Sequence, residues 1–600
     1  MDASSSQLDS IVAIDIGTVY TKAVLIARVE GVYRFIARAE SVTTAEAPWS
    51  DVAVGTRHAL EKLSSAAGRR LLDERGDLTT PQQPDGSGVD ACVVTASAGK
   101  PLSVVLAGLA GEWSLESLRH AAMGTYTTLA AEIALSGGSR RAGRSLADDR
   151  IQRVYDARPD VVCISGGTDG GAERPVLELV EAAKFAARFL EVAGSRPRIL
   201  FAGNAKLKPR VAETIGDAAD FLQIDNVRPG LDVENVGPLQ VELETMYTTH
   251  KMGRIAGLAT ISAWPKARSI TVPAMPTARA FGHVAQYLSA ENTKTGVLGV
   301  DAGGSTTTVS AAFGGQLYTT LRSDVGTSFV ARFVDEVGWE SVARWLDFEV
   351  SEGDIRAFAA NKELRPGTIP QDTSDLRIEQ ALAREVLRAT LRAARGAWPR
   401  GTSIPRFLGG DSNVPLFEPI IGAGGVLARA PRPGQAALLM LDAIEPVGVT
   451  TLVLDVYGLA AALGAAALAE PLIAVQALEQ GGLMNLATVV APLGAMRTRA
   501  GEVVMNVRLS YESGGTIEDD IKAGSLSVLP LSPGQKAVMQ LRPRVGIDIG
   551  RGAGRGGKPT EITGSALGLI VDARGRPLGV SPDPKRRREQ MKSWLWDVGA

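Results

Sequence analysis

The chain has 600 residues, 45% hydrophobic and 22% charged, a length that implies about two to four globular domains. Its formal net charge of −2 gives no electrostatic footprint for nucleic acid or an anionic membrane. Cys92 and Cys163 lie in apolar strand-like runs and read as buried thiols rather than a disulfide. His58, His120, His250 and His283 have no ligand spacing with each other or with cysteine, which argues against structural zinc. The N-terminal residues lack the basic and apolar stretches of a secretory signal, and the greasiest run, 456–469, is too short to span a bilayer. The expectation is a cytoplasmic protein.

Residues 11–40 read as three strands with turns near Gly17 and Gly31, followed by a helix over 49–66 and a polar, Pro- and Gly-bearing loop over 67–89. Strands are expected at 91–96 and 102–107, and helical periodicity fills much of 115–156. Strand 161–164, helix 175–192, strand 198–202 and helix 209–215 then alternate, which argues for a parallel sheet packed by helices. The segment 234–258 reads as helical. Strands run from 296 to about 320, helices over 327–361 and 377–397, and strands at 419–422 and 451–455 flank a helix over 436–444. An Ala-rich helix covers 458–469. Residues 486–580 carry short alternating runs and turn signals of a β-rich segment, and the basic run 585–588 sits in a surface helix or tail.

Two stretches repeat one pattern. Residues 11–26 place Asp15 at the end of an apolar strand, then Gly17 and Thr18 in a turn, then Thr21 and Lys22 on the returning strand. Residues 297–312 do the same with Asp301, then Gly303, Gly304, Ser305 and Thr306. Glycine lets backbone N–H groups approach phosphate oxygens, and Ser/Thr hydroxyls add donors. Each aspartate is placed to hold Mg²⁺ through water. One such turn alone is equally an ordinary hairpin. Two copies, roughly 290 residues apart, are placed to grip one nucleotide from both sides. Lys22 either joins that grip, points to solvent or pairs structurally.

A Gly-rich loop, Gly166-Gly167-Thr168-Asp169-Gly170-Gly171, joins a strand to a helix, where backbone amides form an anion site. Asp169 reads either as a metal ligand or base for an attacking water, or as a cap of a tight turn. Asn204 and Lys206 follow the next strand and reach the same carboxyl-end crevice. Residues 545–550 imitate the first hairpin, but no strand return follows, and Pro559 occupies the Mg²⁺-binding position of a near P-loop at 552–558. The stretch 545–560 therefore reads as a loop.

The paired hairpins, together with Ile420-Ile-Gly422-Ala-Gly424-Gly425, resemble the actin-like ATPase superfamily. That resemblance implies two ribonuclease-H-like lobes closing on ATP, with Gly424 and Gly425 bordering the adenosine. Residues 407–411 offer a rival Gly-Gly turn. The motifs at 11–26, 96–100, 164–171, 203–206 and 275–277, the second hairpin, and 424–437 are together similar to the glutamate mutase accessory family, GlmL/MutL, over roughly residues 10–470. Membership implies an ATP- and Mg²⁺-dependent accessory or reactivating factor, chaperone-like, whose partners are subunits of an adenosylcobalamin-dependent carbon-skeleton mutase. Thr308 stands where the family pattern carries an aspartate, so hydrolysis is expected to be slow or absent. The resulting expectation is an α/β protein with a first actin-like lobe over 1–290, a second over 291–480 and a β-rich C-terminal domain over 481–600. Asp15 and Asp169 are the catalytic candidates, and Asp15 and Asp301 the metal candidates. The rivals are a small-molecule kinase on the same fold and a nucleotide-bound scaffold without turnover.

Overall fold

A computed structural model of the chain describes residues 8–135, 146–264, 272–291, 295–399, 415–495 and 498–600. The rival turn at 407–411 lies outside them. In chain order the strands begin with β1 (Ser10–Ile16), β2 (Tyr20–Val29), β3 (Val32–Val42), β4 (Ala91–Ala96), β5 (Leu102–Gly108), β6 (Thr127–Ala134), β7 (Val161–Ser165), β8 (Arg198–Phe201), β9 (Asp220–Gln223) and β10 (Met275–Pro276). They continue with β11 (Gly296–Ala302), β12 (Thr307–Phe313), β13 (Gln316–Arg322), β14 (Phe417–Ala423), β15 (Gly448–Leu454) and β16 (Met484–Ala491). The last are β17 (Val503–Tyr511), β18 (Thr516–Lys522), β19 (Leu526–Leu529), β20 (Lys536–Pro543), β21 (Thr560–Thr563) and β22 (Leu569–Asp572). Two compact units are present: one made of Met1–Ala98, Ala256–Thr319 and Val325–Ala600, the other of Gly99–Ile255 with Thr320–Asp324.

The first unit builds one plan twice. Its first sheet has the order β3-β2-β1-β4-β10, and its second begins β13-β12-β11-β14-β15. In the first, β1 runs antiparallel to β2 and β2 to β3, while β4 lies parallel to β1 and β10 parallel to β4. In the second, β11 runs antiparallel to β12, with β14 parallel to β11 and β15 parallel to β14. Each set of five strands thus lies in the order 3-2-1-4-5 of its own sequence, the ribonuclease-H-like arrangement that the α/β reading anticipates. Even the second hairpin turns agree. Glu30 and Gly31 have φ of 53° and 86°, Gly314 and Gly315 of 55° and 81°, the paired positive angles of a two-residue hairpin that follows strand twist. β1 is buried along its whole length, as expected of a strand covered on both faces. Between the two sheets, helices Thr277–Glu291 and Leu459–Ala469 share one apolar cluster with residues of β1, β2, β4, β11, β12 and β14. A Cβ on Gly464 would lie 1.8 Å from the Ala280 carbonyl oxygen, so only glycine admits this close approach.

The second sheet does not stop at β15. It continues through β16, β22 and β19, while β18-β17-β20-β21 form a separate antiparallel sheet. The β-rich segment after residue 480 thereby supplies strands both to a sheet begun before it and to one of its own. Residues 545–560 form no hairpin: Asp548 makes a lone bridge to Leu493, and its carboxylate accepts the amides of Gly550, Arg551 and Gly552. The basic run at 585–588 lies in helix Pro584–Asp597, which buries Met591, Trp594 and Leu595.

The other unit is a five-stranded, all-parallel sheet in the order β6-β5-β7-β8-β9. In its own sequence this is 2-1-3-4-5, a doubly wound order with a switch point between β5 and β7. Strand β6 falls where helical periodicity was expected across 115–156. Helices Glu116–Ala122 and Leu146–Ala157 flank it, and parallel pairing with β5 overrides the helix preference of its alanines. Among the described residues no helix is long and apolar enough to cross a membrane.

Each unit carries one cysteine in a central strand, Cys92 in β4 and Cys163 in β7, both free and buried. Burial pushes both thiols up to about 12, so thiolate is scarce at neutral pH. Native protein is expected to resist alkylation, and in rising urea each cysteine is expected to label when its own unit opens. Peptide mass spectrometry after a labelling pulse reads this directly. Labelling of either thiol in buffer would contradict it.

Candidate nucleotide site

Asp15 ends β1 with a fixed carboxylate. One oxygen, Oδ1, accepts the Thr95 hydroxyl at 2.8 Å and the Thr277 hydroxyl at 2.7 Å. Register explains the first, since Thr95 is the β4 neighbour of Asp15, and Thr277 opens the helix after β10. The other oxygen, Oδ2, lies 3.6 Å from Nζ of Lys22, which stands opposite Asp15 across the β1–β2 pair. Lys22 therefore points into the site.

Three carboxylates surround that ammonium. Burial works to lower the Lys22 pKa, but Asp15, Asp301 and Asp455 outweigh it and the net shift is upward. Burial pushes Asp301 up to about 6, against the pull of Lys22 and with the help of Asp15 and Asp455. Asp455 is also raised by burial, opposed by the amides of Ala460 and Leu459 and by Lys22. Its carboxylate accepts the Leu459 and Ala460 amides at 2.7 and 2.8 Å, which ties the site to the start of helix Leu459–Ala469. Asp455 escaped the sequence reading. Its signal was a strand ending in Asp three residues before Gly458 and an Ala-rich helix, a helix-start pattern.

The two turns have the same geometry. The Gly17 amide donates to the Tyr20 carbonyl at 3.1 Å and the Gly303 amide to the Thr306 carbonyl at 3.0 Å. A Cβ on either glycine would sit 2.7 Å from that carbonyl oxygen. The glycines are thus required to close the turns, and their own amides are consumed in doing so. The turns meet through Thr18 Oγ1 and Ser305 Oγ, 2.6 Å apart and 287 residues apart in sequence. Thr306 Oγ1 lies 3.4 Å from the same Ser305 hydroxyl. Thr21 is fully buried and bonds Thr43, which donates to the Gly17 carbonyl, so it supports the first turn from behind. Gly424, at φ 98°, packs on β11: a Cβ there would lie 2.2 Å from the Ala302 carbonyl oxygen. Gly425 begins the short helix Gly425–Ala428. Thr308 faces Asp301 in the register position where Lys22 faces Asp15.

The Gly-rich loop residues belong to the second unit and gather among themselves. Asp169 Oδ1 accepts the Ala205 amide and the Asn226 side-chain amide, both at 2.9 Å. Buried Asn204 accepts the Gly170 and Lys206 amides at 3.0 and 3.1 Å and donates to the Gly171 carbonyl at 3.3 Å. Gly167 and Gly170 take φ of 72° and 79°. The Lys206 side chain lies over the loop, with Nζ 3.2 Å from where a Gly170 Cβ would stand. Gly166 and Thr168 complete the loop after β7. One Asp169 oxygen is thus engaged in fastening this loop.

The first-unit residues fit a magnesium nucleotide. Glycine-only turns supply a cradle, Thr18 and Ser305 supply hydroxyl donors, Lys22 a cation, and Asp15 and Asp301 carboxylates. Among the described residues no three His, Cys, Asp or Glu side chains converge as a metal cage. Mg²⁺ needs none, because it keeps waters and shares its remaining positions between one or two carboxylates and phosphate oxygens.

Comparison with known proteins gives the family. A family model described as MutL protein matches residues 11–481. "Protein MutL" of Clostridium tetanomorphum is 23% identical over 458 residues, spanning 71% of this chain and 88% of that protein. Among solved structures, nucleotide-free acetone carboxylase is 12% identical at a TM-score of 0.33, covering 86% of this chain and 82% of its own. The ADPNP-bound activator of 2-hydroxyisocaproyl-CoA dehydratase from Clostridium difficile is 13% identical at 0.26, covering 78% and 97%. The nucleotide-free diol dehydratase-reactivating factor is 12% identical at 0.28, covering 76% and 99%. The fold assignment rests on the twice-built sheet rather than on these likenesses. By the family match over most of its length, the chain belongs to the MutL family, the glutamate mutase accessory family that its motifs resemble.

Proposed function

We propose that this chain is a cytoplasmic, ATP-binding accessory factor that reactivates an adenosylcobalamin-dependent carbon-skeleton mutase such as glutamate mutase. The observation that carries the reading is the meeting of the two hairpin turns at Thr18 and Ser305 beside Lys22 and its carboxylates. In this reading Asp15 and Asp301 hold Mg²⁺ through water. Bound Mg²⁺ supplies charge neutralisation of the phosphates. Thr18, Ser305 and Thr306 turn their hydroxyls to phosphate oxygens, and Lys22 offsets phosphate charge. A phosphate arriving between the turns takes over the two hydroxyls that otherwise bond each other, so ATP and ADP favour different separations of the turns. Gly424 and Gly425 border the nucleoside. Asp169, with Gly166, Gly167, Thr168, Gly170, Asn204 and Lys206, forms a second anion-binding cluster in which its remaining oxygen serves as base.

A second reading, a nucleotide-held scaffold without turnover, is favoured by Thr308, a hydroxyl where the family pattern has an acid. The experiment is mutase rescue. Glutamate mutase inactivated by turnover is expected to regain activity on addition of this protein with Mg-ATP, and with neither alone. Rescue by a non-hydrolysable analogue would select the scaffold, and Mg-ATP binding with no rescue of any cobalamin mutase would overturn the accessory role.

A further inference from the structure

An open groove of about 880 Å³ lies in the first unit, lined by helix Glu352–Leu364, the turn after it and helix Thr373–Arg395. Phe348, Phe358 and Ile378 form its apolar floor, and Leu364 and Ile369 stand at its mouth, 80% and 63% exposed. Its charged lining is unbalanced. Glu349, Asp354 and Asp375 line it against the single cation Arg365, whereas Lys362 is neutralised by Glu379 at 2.6 Å, so the lining stays net acidic. The nucleotide site makes no use of this surface.

Nor does it use the complementary surface on the same chain. Helix Pro584–Asp597 buries Met591, Trp594 and Leu595 and turns an opposite face outward. That face carries Lys585, Glu589, Lys592 and Trp596, spaced as one helical stripe, and Trp596 is 85% exposed. Arg586 beside it is exposed as well. A bare tryptophan flanked by cations suits an apolar groove with an acidic rim, and tryptophan and arginine are the usual anchors of interfaces.

We propose that the groove receives the outward face of helix Pro584–Asp597 from a second copy of this chain. Trp596 enters between Leu364 and Ile369, and Lys585, Arg586 and Lys592 lie over Glu349, Asp354 and Asp375. Groove and helix are different surfaces, so the contact is head-to-tail and yields rings or open chains rather than a two-fold dimer. The turn after helix Glu352–Leu364, two of whose residues lie between groove-lining ones, also touches both hairpin turns. The Pro366 carbonyl accepts the Ser328 hydroxyl at 3.0 Å, and the Ser328 amide donates to Gly304 of the second turn. The Gly367 carbonyl accepts the Tyr20 hydroxyl at 3.1 Å, next to the first turn. Nucleotide therefore shifts the assembly, a consequence that rests on the nucleotide site proposed above.

Sedimentation velocity on the full chain over a concentration series tests this. Wild type is expected to associate with rising concentration and less so at high salt. Leu364→Glu and Trp596→Ser, each shown folded by circular dichroism, are each expected to raise the association midpoint about thirtyfold. A mixture of the two single variants retains one intact half of each surface and is expected to stop at the dimer. The charge reversal Lys592→Glu is expected to weaken association and flatten its salt dependence. A wild type that stays monomeric throughout, variants that associate as wild type does, or a mixture that stays monomeric would overturn the proposal. Mg-ATP is expected to move the wild-type midpoint, and to move that of Tyr20→Phe less, since the Ser328 link remains. Association that ignores nucleotide would uphold the docking and remove only its link to the nucleotide site.

Discussion

Asp15→Ala and Asp301→Ala are each expected to weaken Mg-ATP binding about 10- to 100-fold, the usual cost of removing a group that positions a metal through its outer shell. Titration calorimetry with and without Mg²⁺ measures it, and unchanged affinity in both variants would remove the nucleotide site from this pair of hairpins. The two variants differ in what they do to the empty protein. Asp15 is clasped by Thr95 and Thr277 and faces Lys22, so its loss strands two buried hydroxyls and a cation and is expected to lower stability. Asp301 is the reverse case. Burial raises its pKa to about 6, so the folded chain holds its proton more tightly than the unfolded chain does. Between about pH 4, the ordinary aspartate value, and that raised value, stability attributable to this group falls as pH rises, because ionisation is disfavoured only in the fold. In chelator-treated, nucleotide-free protein at neutral pH, Asp301→Asn is expected to melt no lower than wild type while still binding Mg-ATP more weakly. Such a split between affinity and stability is the mark of a binding group, and a matching loss of both would point to a structural one.

Much of that site was legible because its signals are local. Asp15, Gly17 and Thr18 lie within a few residues of each other, as do Asp301, Gly303 and Ser305, and the turn chemistry that makes each hairpin is written in the same residues that are proposed to meet a phosphate. What could not be read was set by pairing between distant segments. The direction of Lys22 follows from its register with Asp15, and the approach of Thr18 to Ser305 from the packing of two sheets. Asp455 joins the site because its amide bonds the Gly422 carbonyl, placing the end of β15 beside the end of β14. Likewise β6 is Ala-rich and irregular in burial, so its periodicity suggested a helix until parallel pairing with β5 is known. The strands after residue 480 show clear alternation, but alternation does not name the sheet a strand joins. β16 and β22 extend the second sheet, whereas β17 and β20 do not.

The largest stability effect is expected from Asp442→Ala, outside the two hairpin turns. Asp442, on helix Pro433–Ile444, is 1% exposed and accepts Nε of Arg384 and Nη1 of Arg574, each at 2.8 Å. Arg574 also forks onto Asp572 at 2.8 Å, Arg576 reaches the same carboxylate at 2.9 Å, and the Arg574 guanidinium lies 4.5 Å from the centre of the Trp594 ring. These buried charges tie the end of β22 to two helices of the second sheet and to helix Pro584–Asp597. Removing Asp442 leaves Arg384 and Arg574 charged, buried and short of a partner, which costs about 3–5 kcal/mol, whereas an exposed pair is worth about 1 kcal/mol or less. Urea unfolding is expected to show a lower midpoint with an unchanged slope. The network also sets an acid limit. Against the opposing effect of burial, Arg574 and Arg576 hold the Asp572 carboxyl well below the ordinary range. Its folded-state pKa is depressed, so its contribution is complete above about pH 4 and is lost as pH falls further. Wild type is therefore expected to lose stability below that value, and Asp572→Asn to lose less of it on acidification while starting lower at neutral pH. An Asp442→Ala protein as stable as wild type would mean that water reaches these arginines, and that the C-terminal strands are held by apolar packing alone.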